Sequence, residues 1–400
     1  MGIQEATITL DNPHNSYYPG QVVNGRIQYV FDSPKKVRGI YIVFKGEANT
    51  FWTETETERS SDGASDRQVE NPYTGNEEYF NVNYYIVGSK SNEMELPAGT
   101  NSYDFTCSLP PSLPSSFEGK YGYVRYTIKV TLDRPWKHDQ DTKMAFTVVH
   151  PFDLNNDPEC RKPIAMQLEK TFGCCCCLSA PMSVDVRVPF SGFCAGQSIP
   201  IQVDVENKSN VQLQLVKVAL RKVTPRPMTK KDKDIVVQVQ QGPVPTGQTR
   251  NWTVNLEIPS IPPSNLVNCG IIDLDYDIKV NVLIIYLNTL PDKAGVRSMN
   301  GADFTNCPSL SLKNNFIGYY NNPYICTFYL SQVQPGNAAG GWVVPNYQSL
   351  YPTLSEPVYR ESPYQAMTVI DRGDSEHTRV AGNVNFAPMY PTYSMPLPPQ

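Results

Sequence analysis

Short runs in which every second residue is apolar recur along the first three hundred or so positions. Ile27, Tyr29 and Phe31 alternate with Arg26, Gln28 and Val30. Val124, Tyr126, Ile128 and Val130 alternate with Arg125, Thr127, Lys129 and Thr131, and Leu274, Tyr276, Ile278 and Val280 with Asp275, Asp277 and Lys279. Successive side chains of a strand point to opposite faces, so this period predicts antiparallel sheets with one face on a core and one in water. Turn signals such as Asp32-Ser33-Pro34, Asn207-Lys208-Ser209 and Pro245-Thr246-Gly247 separate the runs. Long stretches at helical spacing are missing. Many short strands punctuated in this way predict β-sandwiches.

The pattern occurs twice. Pro19 to Gly46 aligns without a gap on Ala195 to Lys222 at an offset of 176. Gly20-Gln21 falls on Gly196-Gln197, and Val37, Ile40, Ile42 and Phe44 fall on Leu213, Val216, Val218 and Leu220. Further on, Tyr126 to Val130 (YTIKV) aligns with Tyr276 to Val280 (YDIKV), each preceded by a proline-rich turn at Pro110-Pro111 or Pro262-Pro263. Two matched blocks in the same order indicate a duplicated domain. The expected layout is a sandwich over 1–150, a linker over 151–171 where Pro151, Pro158 and Pro163 break the strand pattern, and a second sandwich over 172–330. The first domain carries extra polar residues, expected to form a long exposed loop over about 53–76. The segment 331–400, rich in Pro and Tyr, is expected to be disordered, because it offers too little apolar area for a core of its own.

Composition narrows the class. The 400 residues exceed one ordinary domain, and 24 Tyr with 35 Pro and 25 Gly suit strands and turns. A net charge of -5 gives no basic excess of the kind nucleic-acid binding needs. The longest apolar run, Val282 to Leu287, is far short of the roughly 20 residues of a membrane span, and the first residues have no apolar signal core. Ten cysteines, four of them consecutive, suit free thiols in a reducing cytosol better than a disulfide framework.

An ordered series of segments resembles the arrestin domain-containing proteins, the α-arrestins: PGQVVNGRI with KKVRGIYIVFKGEA and Trp52, then LPAGTNSYDFTCSLPPSLPSSFEGKYGYVRYTIKV, HPFDLN, EKTFGCCCCLSAPMSVDVRVPFSGFCAGQSIPI and CGIIDLDYDIKV. The resemblance covers residues 1–330 or so. It implies an all-β chain of two tandem immunoglobulin-like sandwiches and a non-catalytic adaptor in membrane-protein trafficking, endocytosis and signalling. The implied partners are cytoplasmic tails of membrane receptors or transporters, with WW-domain HECT ubiquitin ligases recruited by the tail. The implied place is the cytoplasm, with recruitment to plasma membrane and endosomes and only peripheral membrane association. Such ligases read PPxY, which this chain lacks; Glu356-Pro357-Val358-Tyr359 is the nearest sequence, leaving Pro357 and Tyr359 as a degenerate site of weak expected binding. A structural subunit of a sorting coat, like the arrestin-fold subunit of retromer, is the alternative, and a thiol-dependent enzyme a remote one.

Candidate sites follow from residue type. Cys174, Cys175, Cys176 and Cys177 have three readings: structural thiols of an interdomain strand, S-acylation sites, or a zinc site completed by Cys160 or Cys194. Lys35, Lys36 and Arg38 are candidates for contact with anionic cargo or lipid. Asp273, Asp275 and Asp277 lie on one strand face, read as a wet outer surface rather than a calcium site. In the tail, Tyr347, Tyr351 and Tyr364 each begin a Tyr-x-x-apolar sequence of the form read by clathrin adaptors, suited to docking or phosphorylation. Exposed sheet edges offer a place for a cargo strand. The histidines, His14, His138, His150 and His377, are scattered, and no HExxH, P-loop or G-x-S-x-G motif is present. No catalytic residue, metal ligand or cofactor is assigned.

Overall fold

The computed structural model describes residues 3–59, 66–152, 154, 160, 163–174, 177–225, 231–284, 356–364, 366–371 and 373–393. The N-terminal half forms β1 (Ile3–Leu10), β2 (Ser16–Tyr17), β3 (Val22–Phe31), β4 (Lys35–Val37), β5 (Gly39–Arg59), β6 (Asp66–Gly88), β7 (Met94–Leu96), β8 (Gly99–Ser108), β9 (Phe117–Gly119), β10 (Gly122–Asp133) and β11 (Gln140–Val148). One sheet runs β1-β3-β8, and the facing one β2-β11-β10-β5-β6, with β4 and β7 paired beside them. The second half forms β12 (Ile164–Lys170), β13 (Gly173–Cys174), β14 (Cys177–Leu178), β15 (Met182–Val188), β16 (Ser198–Asn207), β17 (Leu213–Pro225), β18 (Lys231–Gln241), β19 (Gln248–Glu257) and β20 (Asp275–Ile284). Its sheets run β12-β15-β16-β19 and β18-β17-β20. The chain is all β, as the period-two pattern predicts, with no α-helix among the described residues.

The alternation becomes burial. In β3, Val23, Ile27 and Tyr29 are fully buried while Asn24 and Gln28 face water. In β16, Ile199, Ile201, Val203 and Val205 do the same. The duplication extends to single hydrogen bonds. Gly20 and Gly196 both adopt the left-handed conformation, with φ of 81° and 87°. Next to each, a glutamine side chain accepts the amide three residues back: Tyr18 N to Gln21 Oε1 at 2.8 Å and Cys194 N to Gln197 Oε1 at 3.0 Å. The matched tyrosines are buried and donate to their proline-rich turns, Tyr126 Oη to Pro114 O at 2.6 Å and Tyr276 Oη to Pro262 O at 2.9 Å. A buried phenol requires such a partner, so each tyrosine pins its turn over its own core.

Four expectations about this architecture are corrected. Residues 53–76 are not a loop throughout: β5 and β6 remain paired to their ends, down to Arg59 opposite Asp66. Alternating threonine, a β-branched residue, supports this extension, and Trp52 stacks on Tyr73 at 5.4 Å across it. The linker is shorter than 151–171, since β12 pairs with β15 in the second domain; Ile164, Met166 and Leu168 already alternate there. Asp275 and Asp277 are buried rather than wet. Arg221, opposite on β17, donates to both carboxylate oxygens of Asp277 at 2.7 and 2.6 Å, a neutralising pair that permits burial. Finally, residues 356–364, 366–371 and 373–393 of the expected disordered tail lie against both domains; 331–355 and 394–400 fall outside the described residues.

Candidate functional site

The packed tail defines the site. It contributes β21 (Val358–Glu361), β22 (Met367–Thr368), β23 (Thr378–Val380), β24 (Asn385–Phe386) and β25 (Met389–Thr392). β21 and β25 pair antiparallel, with Arg360 opposite Tyr390, and β22 pairs with β24. Too small to carry a core, this segment uses the cores of its hosts, and the contiguous buried cluster of the two sandwiches includes its Tyr390 and Tyr393.

Three kinds of contact hold it. The first is a strand addition: β23 runs parallel to β11, with Asp141 opposite Thr378 and Lys143 opposite Val380, and Ala381 N donates to Lys143 O at 2.8 Å. This is the edge-strand pairing by which folded domains take up extended peptides.

The second is ionic. Lys143 on β11 meets Asp371 at 2.6 Å and Asp374 at 2.7 Å. Arg125 on β10 reaches Asp371 at 3.1 Å while holding Glu118 through two bonds of 2.8 Å. Lys129 adds a longer contact to Asp374 at 3.8 Å. Arg125, Thr127 and Lys143 sit on the face expected to be wet and are buried because the tail covers it. Burial works to raise the Asp374 carboxyl, but the Asp371 amide and the charge of Lys143 outweigh it and hold the group below its usual range. Burial pushes Glu118 up to about 7 against the opposing pull of Arg125.

The third contact is aromatic burial at the junction of the domains. Tyr390 Oη donates to Ser116 O at 2.7 Å, and Met389 N to Thr147 Oγ1 at 2.9 Å, on the N-terminal side. On the C-terminal side Ser260 Oγ donates to Arg360 O at 2.6 Å and Tyr393 N to Ala195 O at 2.9 Å. The ammonium of Lys222 lies 4.2 Å from the ring centre of Tyr364. Burying Tyr390 and Tyr393 contributes roughly 2–3 kcal/mol each, whereas the attraction within the buried Lys143–Asp374 pair is largely offset by the desolvation of its two charges. The tyrosines therefore supply most of the grip, and the ion pairs with the β11 pairing set register.

The docked tail decides where several candidate residues lie. Pro357 and Tyr359 belong to the β21 hairpin region, with Tyr359 stacked on His14 at 4.8 Å and its hydroxyl 3.1 Å from that of Tyr18. A WW groove takes a polyproline helix, so this conformation does not present the degenerate site. Tyr364 is not an exposed docking residue: it is enclosed beneath Lys222, and burial raises its phenol well above the usual range. Tyr347 and Tyr351 lie outside the described residues. The cysteine run does not continue an interdomain strand. Cys174 pairs with Cys177 across β13 and β14, so the chain turns back on itself; Cys175 and Cys176 are outside the described residues. Cys160 and Cys194 are buried in the core, and no group of metal-binding side chains gathers among the described residues. Of the basic trio, Lys35 is paired with Asp32 and Arg38 with Asp133, which leaves Lys36 exposed. Sequence patterning missed Asp371, Asp374, Tyr390 and Tyr393 as site residues. Acidic and aromatic residues inside a proline-rich stretch carry no periodic signal.

Comparison with known proteins agrees with this geometry. The arrestin (or S-antigen) N-terminal domain matches residues 6–155, and the arrestin C-terminal domain matches residues 178–292. Arrestin domain-containing protein 17 of Caenorhabditis elegans is 27% identical over 427 residues, covering 97% of this chain and 98% of that protein. Mouse arrestin domain-containing protein 4 is 29% identical over 282 residues, 68% of this chain and 66% of its own length, and human arrestin domain-containing protein 1 is 24% identical over 314 residues, 78% and 68%. With both halves matched in order on the two sandwiches described above, the chain belongs to the α-arrestin-like family of arrestin domain-containing proteins.

Proposed function

We propose that the protein is a cytoplasmic, non-catalytic adaptor in membrane-protein trafficking and signalling. Its sandwiches bind a cytoplasmic segment of a receptor or transporter, and its tail alternates between covering that surface and recruiting partners. The observation that carries this reading is the bound tail. An extended segment of the chain itself already occupies the β11 edge, the Arg125–Lys143 cations and the domain junction, which are the contacts a cargo peptide would use. Membership of a family of adaptors supports the coarser role. In this reading the cargo takes the place of the tail, and only the released tail exposes Pro357 and Tyr359 to WW-domain ligases and Tyr364 to clathrin adaptors. Recruitment to plasma membrane and endosomes follows the cargo.

Proximity labelling in cells with the full chain and with a form ending at residue 355 tests it. Stronger labelling of membrane-protein cytoplasmic segments by the truncated form is the expected result. A stable stoichiometric coat labelled equally by both forms, without membrane cargo, would favour the coat-subunit alternative and overturn the adaptor.

A further inference from the structure

The connection between β10 and β11, residues 134–139, stands at one end of the N-terminal sandwich. It is joined there by the connections 32–38 and 89–98: Arg38 N donates to Asp133 O at 2.8 Å and Ser89 N to Arg38 O at 3.1 Å. At its tip Trp136 is 98% exposed. Its φ is 59°, in the left-handed region, directly after Pro135. Glycine or asparagine takes such a position at little cost, whereas a bulky side chain strains it. The indole is thus costly in backbone conformation and in exposed apolar area, and no hydrogen bond or ring contact among the described residues offsets this. The turn is nevertheless fixed. Arg134 N donates to Asp139 Oδ1 at 3.0 Å and Arg134 Nε to His138 O at 2.9 Å, so the ring is held outward.

The surroundings indicate what it meets. Lys36, Lys90 and Lys137 are exposed and have no ion-pair partner among the described residues, in contrast to Lys35 and Arg38. The three connections carry six Lys and Arg against four Asp and Glu, in a chain of net charge -5. Protein–protein interface cores surround an anchoring aromatic with apolar neighbours and are depleted in lysine. An exposed tryptophan on the same end of the sandwich as three exposed lysines, one of them, Lys36, opposite Glu95 across β4 and β7, fits the boundary of an anionic bilayer, where indole rings settle at headgroup level and ammonium groups meet lipid phosphates.

We propose that this end of the N-terminal sandwich is a membrane-docking surface, with Trp136 entering the headgroup layer of an anionic bilayer and Lys36, Lys90 and Lys137 facing its phosphates. Each signal is modest alone, and together they give reversible peripheral binding. The docked tail reaches one side of this connection, with His377 5.0 Å from His138 between ring centres, but covers none of Trp136, so the proposal does not depend on the adaptor reading.

Cosedimentation of the full chain with phosphatidylcholine vesicles, with and without phosphatidylserine, tests the proposal. Binding that requires phosphatidylserine is expected, falling about tenfold in Trp136→Asn and roughly fivefold for each of Lys36→Gln, Lys90→Gln and Lys137→Gln. Vesicles should shift the tryptophan emission to the blue, and Trp136→Phe should remove that shift. Because Trp136 contributes nothing to the core, Trp136→Asn should melt no lower than the parent, which separates lost docking from lost folding. Binding indifferent to phosphatidylserine, or unchanged in Trp136→Asn, overturns the proposal. So does a Trp136-dependent protein partner in the absence of vesicle binding.

Discussion

Gly20 and Gly196 occupy the same turn in the two domains, with nearly the same φ, yet their surroundings differ. A Cβ on Gly20 would meet nothing closer than Pro111 Cα at 3.9 Å, whereas one on Gly196 would lie 2.8 Å from both the amide nitrogen and carbonyl oxygen of Tyr393. Gly20→Ala should therefore cost only the strain of the left-handed position, about 1 kcal/mol or more, and Gly196→Ala should cost clearly more. In a chain ending at 355 the two costs should become equal; a difference that survives truncation would show that the tail does not approach Gly196. Arg221 gives a second prediction at this scale. Its removal in Arg221→Ala leaves Asp277 charged and buried, and denaturant unfolding should show a loss of about 3–5 kcal/mol. Arg26→Ala, whose partner Asp104 is exposed, should change stability little.

Among the elements, the docked tail responds to pH through two carboxyls of opposite sign. Asp374 is held below its ordinary value near 3.8, so its contribution is present above that value and is lost as pH falls further. Glu118 is raised from about 4.5 to about 7, so its contribution is greatest below 4.5 and is lost as pH rises through 7. Melting temperature should accordingly rise as pH is lowered from 8 towards 5 and fall below about 4. Glu118→Gln should flatten the upper limb, and Asp374→Asn should blunt the acid one; a profile that stays the same in both variants would remove these groups as its cause. Much of this architecture was legible in the sequence. The alternation in β3, β10, β16 and β20 marks one buried face, and the offset of 176 marks the repeat down to Gln21 and Gln197. What escaped was long-range. The β5–β6 extension is polar on both faces, so only pairing reveals it, and the tail elements acquire structure from surfaces that local sequence does not show.

For the whole molecule, the tail links the two domains as well as covering them. Tyr390 bonds to the N-terminal domain through Ser116, while Ser260 and Ala195 of the C-terminal domain hold Arg360 and Tyr393. Ending the chain at residue 355 should therefore lower the melting temperature and weaken the coupling of the sandwiches, which Gly270 N donating to Glu77 Oε2 at 3.0 Å still joins, so that the calorimetric transition broadens; an unchanged transition would mean that the tail stabilises neither domain. The covalent connection has a further consequence. Residues 285–355 join β20 to the tail, so a detached tail rebinds in a unimolecular step, governed by an effective concentration that the connection sets. A free peptide with the same intrinsic affinity would lose that competition at cellular abundance. An incoming ligand displaces the tail only by binding more tightly, by being tethered nearby itself, or after a covalent change to the tail has weakened its hold. Selectivity would then be set by how strongly the chain binds itself.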